Sequence, residues 1–475
     1  MNFFTYIVCW DDVRSNVLNI EKAFIENKYP HKVINSGSQI DENWMNVGDI
    51  RFYRQLYTAV KDFDESYEYM FWLAGDVSYS NWNNFLERAN FITSSYNIWA
   101  YAPHLTNEPW GESNSKLINL NIDQNLLISV QTDGIAVILH RDVVNLLKKY
   151  FDYISEKIDI TTITSGWGMD LIWCAYAMYN NKLIVRDNLH VLNHPAGSSY
   201  NHDKASEELK LVLNLFYDFC EENKIDSNII KEFHNKIYAR MGHDQNHMTI
   251  KSFYPNELNI IKNFKNINYH IIHINDIRKP NRDSVDEILN SNKVIIPSFD
   301  ARVEGSVEKF QKDNPKFKIS WDGFKIGEIG CFISHYIAWN YLLNSELDEL
   351  LIFEDDVFID ETFVKKYQLA INNVPEDYDV LSIFVDSNQH DRFKESDKIN
   401  YYISKGYQDW STLCYIISKQ GAEKLCKYVE EIGMDHPADW FIFRKGHAGI
   451  FNVYTLPPYI KNPVNIDKRY DSQVQ

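Results

Sequence analysis

Three consecutive acids, Glu354, Asp355 and Asp356, close the apolar run at residues 350–353 and are the residues best suited to chemistry. A continuous apolar run of this length predicts a buried parallel strand, so the acids lie where the strand leaves the sheet, which is the ligand-binding edge of open α/β sheets. Adjacent carboxylates repel one another unless a cation or hydrogen-bond donors compensate. In an extended chain Glu354 and Asp356 share one side, which favours a hard divalent cation held through oxygen. A solvated strand end is the alternative.

Five further segments stand in a fixed order around the acid triplet. The first two, upstream of the acids, are I-I-H-I-N-D-I-R-K-P-N-R at residues 271–282 and G-E-I-G-C-F-I-S-H-Y-I-A-W at residues 327–339. Downstream come Y-I-I-S-K-Q-G-A-E-K-L, H-P-A-D-W-F and L-P-P-Y-I, at residues 415–425, 436–441 and 456–460. Over residues 267–463 this order resembles glycosyltransferase family 25, which includes bacterial lipooligosaccharide galactosyltransferases and collagen galactosyltransferases.

The resemblance implies an A-type glycosyltransferase fold, a nucleotide-sugar donor such as a UDP-sugar, and inversion at the anomeric carbon. It also implies a divalent metal, Mn²⁺ or Mg²⁺, which neutralises the leaving diphosphate as the sugar bond breaks. Asp356 is the first candidate for the metal ligand, supported by Glu354 or Asp355. Asp439, in H-P-A-D-W, resembles the later acid of the family and is the candidate general base, with an N-terminal helix cap as the alternative.

Two arginines of the opening segment, Arg278 and Arg282, are candidates for binding the nucleotide or diphosphate of the donor, because guanidinium groups pair well with phosphate oxygens. A plain solvated turn is the alternative for both. The polar residues 241–254 contain His243, Asp244 and His247. A solvated linker is the favoured interpretation of that stretch, and a metal site is the alternative.

Length and composition bound the class of protein. A chain of 475 residues exceeds what one core usually supports, so two domains are expected. The formal net charge of −18 opposes docking on a nucleic-acid backbone. The sequence has no apolar run long enough to span a membrane, no basic leader, and six cysteines without C-x-x-C spacing. These features predict a soluble cytoplasmic protein with reduced thiols and no transmembrane segment.

Alternating strand and helix patterns in the first 200 residues predict an α/β domain. The expected strands cover residues 4–10, 69–73, 98–102 and 182–194, and the expected helices cover residues 14–24 and 50–63. Residues 132–147 are expected to form a strand followed by a helix, and residues 165–177 a glycine-framed turn that opens a helix. Residues 107–125, rich in Asn, Glu and Ser, are expected to form a loop that covers a substrate.

Four elements of the first half recur in the second half in the same order. The pairs and their separations are Asp76 and Asp356 (356 − 76 = 280), Leu139 and Ile417 (417 − 139 = 278), Asp170 and Asp439 (439 − 170 = 269), and Pro195 and Pro463 (463 − 195 = 268). A nearly constant offset predicts two tandem domains of one architecture. We therefore expect two A-type, Rossmann-like glycosyltransferase domains around mainly parallel sheets, at residues 1–200 and 256–475, joined by a helical linker at residues 201–255.

The repeat predicts that Asp76, Asp170 and His194 have the corresponding functional roles in the first domain. Asp76 stands in G-D-V-S, which offers one carboxylate where the second domain has three. His194 is a candidate metal ligand that makes up the shortfall, because a neutral imidazole binds metals well. Asp170 follows G-W-G-M, a small-residue turn that resembles the one before the base in many A-type glycosyltransferases. A packed, non-catalytic first domain is the alternative.

These features together predict a bifunctional glycosyltransferase that adds consecutive sugars to a surface saccharide or a lipid-linked oligosaccharide. Two enzyme domains on one chain keep the first product at a raised local concentration. One rival hypothesis is transfer to hydroxylated protein or to hydroxymethylated bases in DNA, although the charge balance disfavours nucleic acid. The other rival makes one domain a binding module that only positions the acceptor.

Overall fold

The computed structural model divides the chain into two compact units, Met1–Lys262 and Asn263–Gln475. The structure describes residues 2–48, 52–107, 118–119, 125–195, 202–241, 254, 260–261 and 265–466. Most of the predicted substrate-covering loop and the His243, Asp244 and His247 stretch lie outside the described residues. Among the residues that are described, no helix combines the length and apolar composition needed to cross a membrane.

The first unit alternates strands and helices along most of its length. Its strands are β1 (Phe3–Cys9), β2 (His31–Asn35), β3 (Met45–Asn46), β4 (Tyr69–Ala74), β5 (Ile98–Leu105), β6 (Ile118–Asn119), β7 (Leu126–Ser129), β8 (Ala136–His140) and β9 (Leu183–Leu192). Its helices are α1 (Arg14–Glu26), α2 (Phe52–Asp62), α3 (Trp82–Ser95), α4 (Arg141–Lys157), α5 (Met169–Tyr179), α6 (His202–Glu222) and α7 (Ser227–Met241). The strands and helices predicted from the first 200 residues are present, whereas β2, β3, β6, β7 and α3 were not predicted, and β6 lies within the segment 107–125 that was predicted to be a loop.

Burial explains why these segments form regular elements. In α4, apolar residues recur every three or four positions, and the buried ones include Val143, Leu147, Tyr150 and Ile154. The strands form one nine-stranded sheet in the order β3-β2-β1-β4-β8-β5-β9-β7-β6. The central strand β4 is buried on both faces, as its continuous aromatic and apolar sequence Y-M-F-W-L predicts.

The second unit has the same alternation. Its strands are β10 (Asn268–Ile272), β11 (Asn292–Lys293), β12 (Glu349–Glu354), β13 (Val357–Ile359), β14 (Val380–Ser382), β15 (Ser404–Lys405), β16 (Cys414–Ser418), β17 (Val453–Thr455) and β18 (Val464–Ile466). Its helices are α8 (Lys279–Leu289), α9 (Ser306–Asp313), α10 (Ile326–Leu343), α11 (Phe363–Asn373), α12 (Lys419–Glu431) and α13 (Ala438–His447). Seven strands form a sheet in the order β11-β10-β12-β16-β14-β17-β15, and β13 pairs with β18 separately.

The seven-stranded sheet repeats the central seven strands of the first sheet. Strands β2-β1-β4-β8-β5-β9-β7 and β11-β10-β12-β16-β14-β17-β15 have the same spatial order, the same chain order and the same relative directions. The offsets found in the sequence also fit the strand ladders. Met70 pairs with Leu139 in the first sheet, and Leu350 pairs with Ile417 in the second. These pairs are related by the same separations of 280 and 278 positions (350 − 70 and 417 − 139).

Both sheets are mixed: seven of the nine described strands of the first sheet and five of the seven of the second run in one direction, as predicted for mainly parallel sheets, and the others run against them. Strand β12 is parallel to β10 on one side and antiparallel to β16 on the other, and β4 is likewise parallel to β1 and antiparallel to β8. The apolar pattern of a strand reports that both faces are buried, which holds here for β4 and β12. It does not report the direction of the neighbouring strands.

The helices α6 and α7, which fall in the predicted linker at residues 201–255, belong to the first unit. Tyr150 on α4 donates a hydrogen bond from Oη to the carbonyl oxygen of Val212 on α6, at 2.6 Å. His234 on α7 is buried, and its Nε2 lies 3.2 Å from the carbonyl oxygen of Leu171 on α5. This helical pair is therefore packed on the core of the first unit.

Fragments cut at the boundary between the units test whether each is a folding domain. We expect residues 1–262 and 263–475, expressed separately, each to unfold in one cooperative thermal transition, because each fragment keeps its own sheet and core. Circular dichroism and size-exclusion chromatography provide the measurement, with the full chain as the control. If both fragments aggregate while the full chain folds, the division into two autonomous domains is wrong.

Candidate functional site in the second unit

The acid triplet lies in the turn that connects two sheets. Strand β12 ends at Glu354, Asp355 and Asp356 form the turn, and β13 begins at Val357. The amide of Glu354 still donates to the carbonyl oxygen of Leu413 at 3.1 Å, so the first acid is fixed by the edge of the seven-stranded sheet. The following two acids leave that sheet, and the three side chains have different surroundings.

Glu354 is contacted by side chains on two other elements. Thr412 Oγ1 donates to Glu354 Oε1 at 2.6 Å, and His335 Nε2 lies 3.5 Å from the same oxygen. Burial acts to raise the pKa of Glu354, but the neighbouring His335 and the Thr412 hydroxyl outweigh it and hold the pKa below its usual value. Glu354 is therefore kept as a carboxylate.

His335 is fully buried on α10, and two aromatic side chains, Tyr415 and Trp339, fix its position. Its Nδ1 lies 2.8 Å from Tyr415 Oη, and the same oxygen accepts a hydrogen bond from Trp339 Nε1 at 2.9 Å. Tyr415 lies on β16, which pairs with β12. The imidazole next to Glu354 is thus fixed in orientation by a buried polar network.

Asp355 points into a cluster of donors on α8 and the residue before it. Arg278 Nη1 donates to Asp355 Oδ1 at 3.0 Å, and Asn281 Nδ2 donates to the Asp355 carbonyl oxygen at 3.1 Å. Burial raises the pKa of Asp355, and Arg278 opposes that shift. Arg278 and Asp355 form an ion pair whose side chains are only 5% and 9% exposed.

Asp356 has the least compensation of the three acids. Its Oδ1 is buried without a hydrogen-bond partner, and its Oδ2 lies 3.7 Å from Arg278 Nη1. Burial together with the charge of Glu354 raises the pKa of Asp356 to about 7. A divalent cation would stabilise its carboxylate form, because an adjacent positive charge favours ionisation.

Arg278 and Arg282 do not line the large cavity of the second unit. Arg278 is engaged by Asp355, as described above. Arg282 Nη1 donates to the carbonyl oxygen of Asn275 at 2.8 Å, and Arg282 also pairs with Asp276. Both guanidinium groups therefore hold neighbouring parts of the second unit together: Arg278 binds Asp355, and Arg282 binds the turn at residues 275–276. Binding of the donor by these arginines stays a prediction.

Asp439 occupies the first turn of α13. Its Oδ1 accepts from the amide of Trp440 at 2.7 Å, and its Oδ2 accepts from the amide of Ser411 at 3.2 Å. Ser411 has a φ of 90°, a left-handed conformation that is costly for a residue with a side chain and is concentrated at functional sites. Burial raises the pKa of Asp439, which strengthens it as a base.

A single cavity of about 1110 Å³ brings Glu354, Asp356 and Asp439 together. Its wall contains six acids: Glu328, Glu354, Asp356, Asp386, Asp435 and Asp439. The basic residues of the wall are Lys325 and His436, and its tryptophans are Trp321, Trp410 and Trp440. Asp355 does not line the cavity, so the side-by-side placement expected for an extended chain holds for Glu354 and Asp356.

Several of these wall residues were not identified from the sequence. Asp386 follows β14, Asp435 and His436 precede α13, and Trp321 precedes α10. H-P-A-D-W was recognised as a motif, so its His436 and Trp440 carried a usable signal, whereas an isolated Asp386 or Trp321 carried none. Their position depends on how the ends of separate strands meet at one edge.

The residues at this edge fit a hard divalent cation. Glu354 and Asp356 both present carboxylate oxygens to the cavity, and one Asp356 oxygen is buried without a partner. Carboxylate oxygen is the ligand type that Mg²⁺ and Mn²⁺ prefer. Asp355 contributes less directly, because its carboxylate is occupied by Arg278.

The corresponding acid of the first unit has a different partner. Asp76 follows β4, and its Oδ2 lies 3.4 Å from His194 Nε2. The partly buried side chains each leave one atom without a hydrogen-bond partner, Oδ1 of Asp76 and Nδ1 of His194. The hydrogen bond to Asp76 raises the pKa of His194. The structure thus brings these two predicted ligands together.

Asp170 lies in the first turn of α5, after Gly168 at φ 94°. Gln131 Nε2 donates to Asp170 Oδ2 at 2.7 Å, and burial raises the pKa of Asp170. Gln131 and Ser411 stand in corresponding loops, each just before the strand that pairs with the acid-bearing strand. The same loop therefore holds the acid at the helix start in both units. No contact that the structure describes joins Asp170 to Asp76.

A polar cavity of about 600 Å³ lies in the first unit between α1 and the start of α3. Its wall contains six asparagines: Asn16, Asn19, Asn27, Asn81, Asn83 and Asn193. Asp76, Asp170 and His194 are not among its lining residues, so this cavity does not gather the predicted site of the first unit.

Comparison with known proteins adds an independent finding for the second unit. Residues 260–442 match the family model described as Glycosyltransferase family 25 (LPS biosynthesis protein). A putative glycosyltransferase of Haemophilus influenzae is 28% identical over 222 residues, which cover 45% of this chain and 75% of that protein. Human procollagen galactosyltransferase 2 is 33% identical over 123 residues, 24% of this chain and 19% of that protein, so this match spans about a fifth of the human enzyme.

Among solved structures, S. aureus TarS 1-349 in complex with UDP-GlcNAc is similar with a TM-score of 0.33 and 10% identity, covering 50% of this chain and 72% of that chain. The family match, in contrast, falls on the part of the chain that contains the acid triplet and Asp439. It confirms the resemblance predicted from the ordered motifs: residues 260–442, nearly all of them in the second unit, match the model of glycosyltransferase family 25.

Proposed function

We propose that the chain is a metal-dependent, bifunctional glycosyltransferase that adds consecutive sugars from nucleotide-sugar donors to a glycan acceptor, with inversion in the second unit. The observation that carries the proposal is the meeting of Glu354, Asp356 and Asp439 on one cavity. A pair of carboxylates for a cation and a separate buried acid are the two functions that transfer from a nucleotide diphosphate requires. The family match over the same residues supports it.

The residues of the second unit divide the chemistry. Glu354 and Asp356 would hold Mn²⁺ or Mg²⁺, which supplies charge neutralisation for the diphosphate. Asp439 accepts the proton of the acceptor hydroxyl as that oxygen forms its bond to the anomeric carbon, and the bond from that carbon to the diphosphate oxygen breaks. The electron pair of the broken bond leaves with the diphosphate. One displacement of this kind inverts the anomeric centre.

Fixed orientation of Asp439 is part of this proposal. The amides of Ser411 and Trp440 each bind one of its oxygens, so the carboxylate cannot rotate freely. Each oxygen has a second lone pair that can accept a proton. Trp321 and Trp440, which are 52% and 37% exposed, offer flat apolar faces on the cavity wall against which sugar rings can pack.

For the first unit we propose the same reaction class with Asp170 as the base and Asp76 and His194 as the candidate metal ligands. Support comes from the shared strand order of the two sheets and from the equivalent placement of Asp170 and Asp439. The tandem organisation suits consecutive additions, in which the product of one unit is the acceptor of the other. The donor sugars are defined by a hydrolysis screen over a panel of UDP-sugars and other nucleotide sugars.

A second candidate function has support in the first unit. Asp76 is the single acid at the end of β4, and the polar cavity lined by asparagines does not include Asp76 or Asp170. Asparagine amides both donate and accept hydrogen bonds, as sugar hydroxyls do. The first unit would then bind the acceptor while the second unit performs transfer. The similarity to a procollagen galactosyltransferase keeps hydroxylated protein as an alternative acceptor, and the net charge of −18 disfavours hydroxymethylated DNA.

Replacing Asp356 with Asn tests the cation site. We expect Asp356→Asn to weaken Mn²⁺ binding to the full chain by at least about 10- to 100-fold, because it removes one charged oxygen ligand. Transfer by the second unit should fall in parallel and should be lost in the presence of a chelator. Isothermal titration with Mn²⁺ and donor-hydrolysis assays measure the two effects.

Two further variants sharpen that test. Asp313→Asn changes an exposed acid outside the cavity and should leave both measurements unchanged. Asp355→Asn should keep most of the Mn²⁺ affinity but lower stability by up to about 3 kcal/mol, because it removes the nearer of the two carboxylates that pair with the buried Arg278. The cation assignment fails if Asp356→Asn binds Mn²⁺ and transfers sugar as well as the native chain does.

The matched variants Asp170→Asn and Asp439→Asn test whether the chain has two active units. If each acid is the base of its own unit, each variant should slow a different sugar addition by roughly 10²- to 10⁴-fold while leaving donor hydrolysis by the other unit intact. Mass spectrometry of the product with each donor alone and with both donors gives the measurement.

A mixture of the two variants should restore the complete product if the intermediate dissociates. Thermal unfolding of Asp170→Asn should match the native chain, because Asn keeps an oxygen that accepts from Gln131. Asp439→Asn keeps an acceptor for only one of the amides of Ser411 and Trp440 and should be less stable by about 1 kcal/mol. An Asp170→Asn chain that performs every transfer step at the original rate contradicts catalysis through Asp170. The acceptor-binding role of the first unit would then be the better account.

A further inference from the structure

A second set of potential metal ligands lies beside the acid triplet on α10. The atoms are Cys331 Sγ, His335 Nε2 and a carboxylate oxygen of Glu354, and all of them lie within 4.8 Å of one another. Cys331 and His335 are four positions apart on one helix, so they project from the same face. Thiolate, imidazole and carboxylate together are a ligand set of zinc rather than of the hard cations Mg²⁺ or Mn²⁺.

The surroundings of His335 indicate that its side chain binds a metal ion. Its side chain is fully buried, and its Nε2 has no hydrogen-bond partner among the described residues. The nearest acceptor, Glu354 Oε1, is 3.5 Å away, beyond the 2.7–3.2 Å range of a good hydrogen bond. A nitrogen atom and an oxygen atom that bind the same tetrahedral zinc ion lie about 3.4 Å apart, because each metal–ligand bond is about 2.1 Å long. The distance from His335 Nε2 to Glu354 Oε1 is close to this value.

The other ring nitrogen of His335 is placed as it is in zinc-binding histidines. Tyr415 Oη has two lone pairs and therefore can accept from both Trp339 Nε1 and His335 Nδ1. A proton held on Nδ1 would leave the Nε2 lone pair available to a metal ion bound between Glu354 and Cys331, and without a metal Nε2 can carry the proton and face the Glu354 carboxylate. Such an outer hydrogen bond fixes the tautomer and the ring orientation of a metal-binding histidine.

The cluster also has a route from solvent. Cys331 and Glu354 both line the 1110 Å³ cavity, whereas His335 lies behind them. An ion entering through the cavity would meet Cys331 and Glu354 first, and a water molecule on the cavity side can complete a tetrahedral set of four ligands.

We propose that Cys331, His335 and Glu354 form a zinc-binding site that shares Glu354 with the hard-cation site of Asp356. Binding forms bonds from the metal to sulfur, nitrogen and oxygen and releases the thiol proton of Cys331 to solvent, since the thiolate is the ligand form. Because one carboxylate serves both sites, Zn²⁺ and Mn²⁺ compete for the chain. This competition, which rests on the proposed function, makes zinc an inhibitor of transfer by the second unit.

Cobalt provides a direct test in the metal-free full chain, without donor or acceptor. Co²⁺ occupies tetrahedral zinc sites, and bonding to a thiolate gives a sulfur-to-metal absorption band in the near ultraviolet. We expect one Co²⁺ per chain to produce this band and one equivalent of Zn²⁺ to abolish it. Absence of the band from the native chain overturns the proposal, whatever the outcome of any transfer assay.

Variants assign the ligands. Cys331→Ser and His335→Gln should each remove the cobalt band or weaken zinc binding by about 100-fold or more, since loss of an outer hydrogen bond alone costs 10- to 100-fold. Cys426→Ser changes a buried cysteine of α12 outside the cavity and should leave the band unchanged. Unaltered zinc affinity in a folded Cys331→Ser chain overturns the assignment, and Cys331→Ala gives a second variant if Cys331→Ser does not fold.

Asp356→Asn separates this site from the hard-cation site. It should weaken Mn²⁺ binding while keeping the cobalt band, because Asp356 is not one of the three ligands. Loss of the band in folded Asp356→Asn would show that Asp356 is required for Co²⁺ binding, which contradicts a site made of Cys331, His335 and Glu354. Mn²⁺ binding and transfer in folded Cys331→Ser report on the proposed function independently.

Discussion

Three carboxylates at the end of one buried strand cannot all stay ionised unless other groups compensate their charge. The second unit answers this constraint with a different environment for each acid. Glu354 receives the hydroxyl of Thr412 and faces the imidazole of His335, and Asp355 is paired with Arg278. Asp356 is left with a buried oxygen that has no partner. Of the two acids that face the cavity, Asp356 is the less compensated, and a bound cation would be most favourable beside it.

The elements around β12 follow from this requirement. The opening turn and α8 supply Arg278 and Asn281, α10 supplies His335, and the loop before β16 supplies Thr412. Arg278, Asn281 and His335 stand in the two upstream family motifs, at residues 271–282 and 327–339, and Thr412 lies three residues before the motif at 415–425. The motifs are therefore largely the support of the acid triplet. The exception is H-P-A-D-W-F, of which residues 436–440 line the cavity. Arg278 and Arg282, although they stand in a motif, are not among the lining residues.

The first unit has the same sheet, but it does not have three adjacent acids at the end of the corresponding strand. Where the second unit has Glu354-Asp355-Asp356, the equivalent positions after β4 are Ala74, Gly75 and Asp76. A Cβ atom on Gly75 would lie 2.2 Å from the carbonyl oxygen of Val8, so no side chain fits there. Only one acid remains, and it pairs with His194, which follows β9. By contrast, the placement of Asp170 and Asp439 is shared, so the two units differ most in how they would hold a cation.

The sequence by itself determined the order of the motifs, the acid-ended strand, most helices of the first unit and the offset that relates the two halves. These features are visible in the sequence because each depends on residue types within a short segment or on a pattern that repeats along the chain. Only the tertiary structure decided that β16 runs antiparallel beside β12, that Asp355 turns toward Arg278, and that His335 stands beside Glu354. Each of these depends on which distant segments meet at the sheet edge. A hydrophobic pattern records how much of a strand or helix is buried, but the neighbour that buries it is chosen by the packing of the whole unit.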